Sequence, residues 1–191
     1  MKPLRLFLSA LILLSTLAYF SYAQSEAKVL VVYYSRTGNT RKVAQLLAKR
    51  FKADIEEIID KKKRTGPIGF TAAGKDALTK QLTDIEPLEL DPQQYDIILV
   101  GTPSWYSNMT PAIRTFVTQN DIKNKQVAVF ATTNLTGINS TLDELASLVA
   151  DKDSDQIPRL PVYKKDRQDV DILNKKIGRF YKEVMGLDGE E

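Results

Sequence analysis

Six residues offer the clearest chemistry in this chain: Ser35, Arg36, Thr37, Gly38, Asn39 and Thr40. They lie between a β-branched apolar run, Val29 to Tyr34, and the helical pattern that begins at Thr40. A strand, a tight polar loop and a helix start form a site for an anion. The first N–H groups of a helix lack intrahelical acceptors and carry the positive end of its dipole. Thr37 and Thr40 add hydroxyl donors, and Gly38 lets the backbone come close. The same residues also describe an ordinary strand-to-helix turn with Thr or Asn as N-cap. The loop by itself does not separate these two readings.

Two absences narrow the chemistry. The sequence has no cysteine, which removes disulfides, thiolate nucleophiles and Fe–S ligands. It has no histidine, which removes a Ser-His-Asp triad and the commonest metal ligand. Any reaction must therefore use carboxylates, lysine, tyrosine, hydroxyls or a bound cofactor. The formal charge is +3, and Lys2 and Arg5 in the N-terminal leader account for two of those charges, leaving +1. A nearly neutral chain gives no support for nucleic-acid binding. Lys61, Lys62, Lys63 and Arg64 form one basic run beside Gly66 and Pro67. It reads as a solvated loop, with a docking patch for an anionic partner as the alternative.

Residues 1–23 have the layout of an export signal. Lys2 and Arg5 precede an apolar stretch from Leu6 to Phe20, and Ser21-Tyr22-Ala23 supplies small residues at a cleavage site. An uncleaved membrane anchor is the alternative. Both place the folded domain, residues 24–191, outside the cytoplasm, because the positive charges come first. No twin arginine is present, so the chain should cross unfolded.

The elements that must position the loop follow by periodicity. Strands are expected at Val29–Tyr34, Ala53–Ile59, Tyr95–Gly101, Gln126–Thr132 and Gln156–Val162. Helices are expected at Thr40–Phe51, Gly69–Leu82, Pro111–Val117, Ser140–Val149 and Asp169–Met185. Ser140 or Thr141 should cap the fourth helix, and residues 188–191 should form a frayed tail. Gly69 to Lys75 has the G-x-x-x-x-G-K spacing of a phosphate-binding loop. No buried strand precedes it and Asp76 stands where Ser or Thr should hold Mg²⁺, so it is rejected. Alternation of strands and helices implies α/β architecture with a doubly wound parallel sheet of five strands. Ligands in such sheets bind at the carboxyl ends of the strands, near the topological switch point. Polar loops follow strands one, three and four there.

The sequence resembles the flavodoxin family over about Lys28 to Met185. Ser35-Arg-Thr-Gly-Asn-Thr40 matches the family's T/S-x-T-G-x-T loop, which wraps the phosphate of FMN. Tyr95-Asp-Ile-Ile-Leu-Val-Gly-Thr-Pro-Ser-Trp105 matches the strand and aromatic loop that lie against the flavin ring. The resemblance implies strand order 2-1-3-4-5 and FMN as cofactor. It implies cofactor contacts from residues 35–40, from Thr102, Pro103, Ser104, Trp105 and Tyr106, and from Thr132, Thr133 and Asn134. Gly137 is the only glycine of that third loop. No side chain need act as acid or base, and no metal is required, because the flavin itself carries the electrons.

These expectations define an FMN-binding redox protein acting outside the cytoplasm, in the periplasm or attached to a membrane through the N-terminal segment. Its partners would be redox proteins or small quinone-like acceptors. An electron carrier and an FMN-dependent quinone or NAD(P)H reductase both fit, with the carrier favoured. An aromatic such as Trp105 against the ring, in a shielded site, would disfavour the anionic reduced flavin. The competing expectation is a flavodoxin-like domain without flavin that serves as a binding or assembly module.

Overall fold

The computed structural model describes residues 27–64 and 66–187. The expected leader and the expected frayed tail lie outside these residues. Five strands form one sheet: β1 (Val29–Tyr33), β2 (Asp54–Glu57), β3 (Ile97–Pro103), β4 (Gln126–Thr133) and β5 (Arg159–Tyr163). Their order is β2-β1-β3-β4-β5 and every neighbouring pair is parallel. This is the doubly wound arrangement expected from the alternating pattern. The helices are α1 (Asn39–Phe51), α2 (Gly66–Leu78), α3 (Pro111–Gln119), α4 (Ile138–Val149), α5 (Lys164–Gln168) and α6 (Val170–Met185).

Side chains alternate across a strand, so each central strand supplies both faces of the sheet with apolar groups. Val29, Val31 and Tyr33 of β1 face α1 and α6, packing with Val43, Leu47 and Phe51 and with Leu173, Ile177, Phe180 and Val184. Leu30 and Val32 face the other way, toward Ala73 and Ala77 of α2, Ile113 and Phe116 of α3, and Leu142 and Leu145 of α4. Continuous apolar runs in β1, β3 and β4 thus reflect helices on both sides. Strand β5 is an edge, paired only with β4, and tolerates Pro161 there. No helix among the described residues is long and apolar enough to cross a membrane.

Several boundaries differ from expectation. Helix α1 starts at Asn39 under Gly38, which takes a left-handed conformation with φ 82°, and no side chain caps it. Helix α4 starts at Ile138 under Gly137, φ 81°, rather than at a Ser140 or Thr141 cap. The Thr141 hydroxyl turns instead to Ser104 Oγ, 2.7 Å away. In both helices a glycine that can adopt positive φ displaces the hydroxyl cap that sequence favours. Helix α2 begins at Gly66 and ends at Leu78, three residues earlier than expected at its start and four at its end. The rejected phosphate-loop pattern, Gly69 to Lys75, therefore lies inside a helix. Strand β2 is shorter than expected, and Ile59 beyond it is exposed. Helix α5 was not anticipated.

The basic run is not uniformly solvated. Arg64 is buried, with only 2% of its side chain exposed, and forms ion pairs with Asp60 and, at 2.8 Å, Asp76. Lys62 Nζ lies 2.7 Å from the same Asp76 carboxylate. Lys61 pairs with Glu86 at the surface. Acids contributed by neighbouring segments neutralise a cluster that looks purely basic in one dimension.

Candidate functional site

At the carboxyl edge of the sheet the loops after β1, β3 and β4 converge on one cleft of about 470 Å³. Among the sequence-expected residues, Arg36, Thr37, Asn39, Thr40, Pro103, Ser104, Trp105, Tyr106, Thr132, Thr133 and Asn134 line it. Ser35, Gly38 and Thr102 do not. Thr102 is buried beneath the second loop, where its hydroxyl accepts from Thr110 N–H at 3.1 Å and lies 3.2 Å from the Thr110 hydroxyl. It closes the base of that loop.

The first loop retains unused donors. Helix α1 has neither a side-chain cap nor an acid in its first turn, so its leading N–H groups face the loop uncompensated. Ser35 Oγ is buried and has no hydrogen-bond partner among the described residues. A buried hydroxyl without a partner costs about 1–3 kcal/mol unless a ligand supplies one. Thr37 Oγ1 accepts from Asn39 Nδ2 at 3.1 Å, which draws the loop tight. Thr40 Oγ1 and Thr132 Oγ1 lie 2.8 Å apart and join this loop to the end of β4.

The second loop is a two-residue hairpin. Trp105 and Asn108 exchange backbone hydrogen bonds of 2.9 and 3.0 Å. Tyr106 and Ser107 between them have φ of 50° and 64°. Positive φ at both central positions is the type I′ geometry, usually supplied by Asn-Gly, and a bulky tyrosine there is strained. Two glycines make room for it. A Cβ at Gly74 of α2 would overlap the Tyr106 ring, and one at Gly137 would overlap the Ser107 hydroxyl. Ser104 N–H donates to Thr132 O at 2.9 Å, anchoring the hairpin stem to β4.

Both expected aromatics line the cleft but differ in exposure. Trp105 is only 9% exposed. Tyr34 meets it edge-on at 5.8 Å, and the Arg36 guanidinium lies over its ring at 4.6 Å. Tyr106, 60% exposed, presents the larger aromatic surface to the cleft. Burial, with the nearby Asp60 charge, pushes the Tyr34 hydroxyl up to about 12, so it stays protonated.

Arg167 of α5 is the residue that sequence reading missed most completely. It lies 33 positions from Asn134 and carries no motif, yet it reaches the third loop. Its NH1 donates to Thr133 O at 3.0 Å and Val162 O at 3.2 Å, and its NH2 donates to Asn134 Oδ1. Burial lowers the pKa of both Arg36 and Arg167, but a guanidinium remains charged. Gly74, Ser107, Leu135 and Thr136 complete the lining. The lining holds two arginines and no carboxylate. Such a wall favours an anionic ligand, and a mixed polar and aromatic cleft of this form suits a flat one.

A parallel sheet of order 2-1-3-4-5, with a crevice between the loops of β1, β3 and β4, defines the class of flavodoxin-like doubly wound α/β domains. The sequence model of the flavodoxin family matches residues 28–156, and the chain belongs to that family. Solved structures share the fold. A Lactobacillus acidophilus flavoprotein determined in complex with FMN is 23% identical, with a TM-score of 0.59 over 76% of this chain and 97% of that one. A WrbA-like flavodoxin from Agrobacterium tumefaciens is 16% identical, with a TM-score of 0.54 over 86% and 99% of the two chains. Oxidised flavodoxin 2 from Bacillus cereus is 19% identical, with a TM-score of 0.50 over 84% and 99%.

Proposed function

We propose that this domain binds FMN in the cleft and transfers electrons outside the cytoplasm. The observation that carries this reading is the first loop. The uncapped N-terminus of α1 brings Asn39 and Thr40 to a cleft lining without acids, and Ser35, which precedes that lining in the same loop, carries a buried hydroxyl without a partner. Residues 35–40 hold the phosphate through backbone N–H and hydroxyl donors, which needs neither lysine nor metal. The Ser104–Asn108 hairpin and the Thr132–Thr136 loop would hold the ring, with Tyr106 as an aromatic contact. Bound FMN supplies the redox chemistry, while the protein fixes its position, excludes water and sets its electrostatics.

The role we favour is electron carrier rather than reductase, with redox proteins or small quinone-like acceptors as partners. The leader at residues 1–23 supports export, and a chain exported unfolded acquires its FMN after crossing. The test is direct. Protein expressed with its leader is recovered from the extracytoplasmic fraction, its N-terminus is read by mass spectrometry, and its visible spectrum is recorded before and after FMN titration. A flavin spectrum and one bound FMN per chain are expected. No chromophore and no FMN binding at micromolar concentration would identify a flavin-free binding module instead.

A further inference from the structure

The cleft has an electrostatic asymmetry that neither its motifs nor its family explains. Arg167 enters it from α5, beyond the last strand, at the end opposite the phosphate loop in strand order. Three hydrogen bonds fix its guanidinium to the carbonyl ends of β4 and β5 and to Asn134. No carboxylate among the described residues lies within ion-pair distance of it. The adjacent Asp166 is committed elsewhere, 2.6 Å from Lys176 Nζ and accepting from Tyr163 N–H at 2.8 Å. The Asp166 charge still reaches Arg167 but is shared with Lys176, so the guanidinium is a rigid, partly desolvated and incompletely balanced cation beside the third loop. A fixed charge in such a site acts more strongly than one in water.

We propose that Arg167 favours the reduced, anionic form of the bound flavin over the oxidised, neutral ring, raising the two-electron potential. This rests on FMN occupying the cleft with its phosphate at residues 35–40, which leaves the ring toward the third loop. Reduction of a flavin by two electrons and one proton leaves a negative charge on the pyrimidine side of the ring. The expectation drawn from Trp105 alone, an aromatic shielded site that disfavours that anion, is thereby reversed. Arg36, stacked on Trp105, is the second arginine of the lining, which contains no carboxylate.

The experiment compares affinities for oxidised and dithionite-reduced FMN, measured anaerobically on the same apoprotein. The ratio of the two dissociation constants fixes the shift in potential. Arg167→Gln should weaken reduced FMN at least tenfold more than oxidised FMN, which corresponds to about 30 mV for a two-electron couple. Arg167→Lys should restore most of the ratio, because it keeps the charge and loses only the fork. Leu135→Glu is an independent variant. Leu135 is 80% exposed on the cleft wall, so a carboxylate there lowers the local charge without removing the Arg167 hydrogen bonds. It should shift the ratio in the same direction. Equal loss of both affinities in Arg167→Gln, with an unchanged ratio in Leu135→Glu, would show that Arg167 only holds the loop. Failure of wild-type protein to bind FMN in either state would instead overturn the flavin assignment, and this proposal with it.

Discussion

The hydroxyls of Thr40 and Thr132 lie 2.8 Å apart in a buried contact between the first turn of α1 and the end of β4. One belongs to the loop assigned to phosphate, the other to the loop assigned to the ring edge. The pair therefore couples the two halves of the cleft across β1, β3 and β4. Replacing Thr40 by Val strands the Thr132 hydroxyl and should cost about 1–2 kcal/mol in urea unfolding. Replacing both by Val should recover most of that loss, since neither hydroxyl is then left alone. A double variant no more stable than the single one would argue against the coupling.

Thr37 and Thr40 together test the phosphate assignment. Changing both to Ala removes two hydroxyls from the loop while leaving the backbone donors of α1. FMN affinity should fall at least tenfold by fluorescence titration, about 1.4 kcal/mol. Unchanged affinity would mean that the phosphate does not sit at residues 35–40.

Gly74 gives a prediction whose sign depends on a second residue. Gly to Ala inside a helix ordinarily gains up to about 1 kcal/mol. Here the new methyl meets the Tyr106 ring, so Gly74→Ala should be neutral or destabilising in the native chain. In a Tyr106→Ala background the same change should stabilise by about 0.5–1 kcal/mol. A double-mutant cycle measures the coupling, and additivity would contradict the contact.

Arg64 and Lys62 share Asp76 but should differ widely in cost. Arg64 is enclosed with Asp60, itself 3% exposed, so Arg64→Gln leaves a buried carboxylate without its guanidinium and should lose about 3 kcal/mol. Lys62 is half in solvent, and Lys62→Ala should lose less than about 1 kcal/mol. Thermal unfolding of the two variants distinguishes them, and equal losses would refute the buried network.

Asp166 sets part of the acid limb of stability. Burial pushes its carboxyl up, but hydrogen bonds from Lys176 and the Tyr163 N–H outweigh that and hold it below the ordinary carboxylate value. A lowered folded pKa contributes stability that is present above the unfolded carboxylate range. That stability is lost as pH falls through the lowered folded value. Asp166→Asn should cost about 2 kcal/mol at neutral pH, since Lys176 can return partly to water, and should flatten the decline below about pH 4. An acid limb of unchanged slope would assign that stability to other groups.

The sheet was legible because its central strands are buried on both faces and its helices show one apolar stripe each. Val29 to Tyr33, Ile97 to Val100 and Val127 to Ala131 could hardly be read otherwise. The first two loops were legible because glycine, threonine and the single tryptophan stand at fixed offsets from strand ends. The cap of α4 was misread because Ser140 and Thr141 are good caps in isolation. Gly137 won because only glycine there leaves space for Ser107. Arg64 was misread because its burial against Asp60 and Asp76 depends on how the chain folds back, and Asp76 lies twelve residues on in α2. Arg167 was invisible for a similar reason: α5 is five residues long, and nothing local in Lys-Lys-Asp-Arg-Gln points at a loop 33 residues upstream.

The hairpin at Tyr106 and Ser107 also limits how this cleft can be rebuilt. Its shape is written in three separated places: the turn itself, Gly74 on one helix and Gly137 at the head of another. Grafting the turn alone onto a related scaffold would bring two strained residues without the slots that receive them. Placing alanine at either glycine first would close the route before the turn could arrive. The recognition loop is thus not a portable part: a change of specificity here must move through all three segments, and in an order that opens the slots before it fills them.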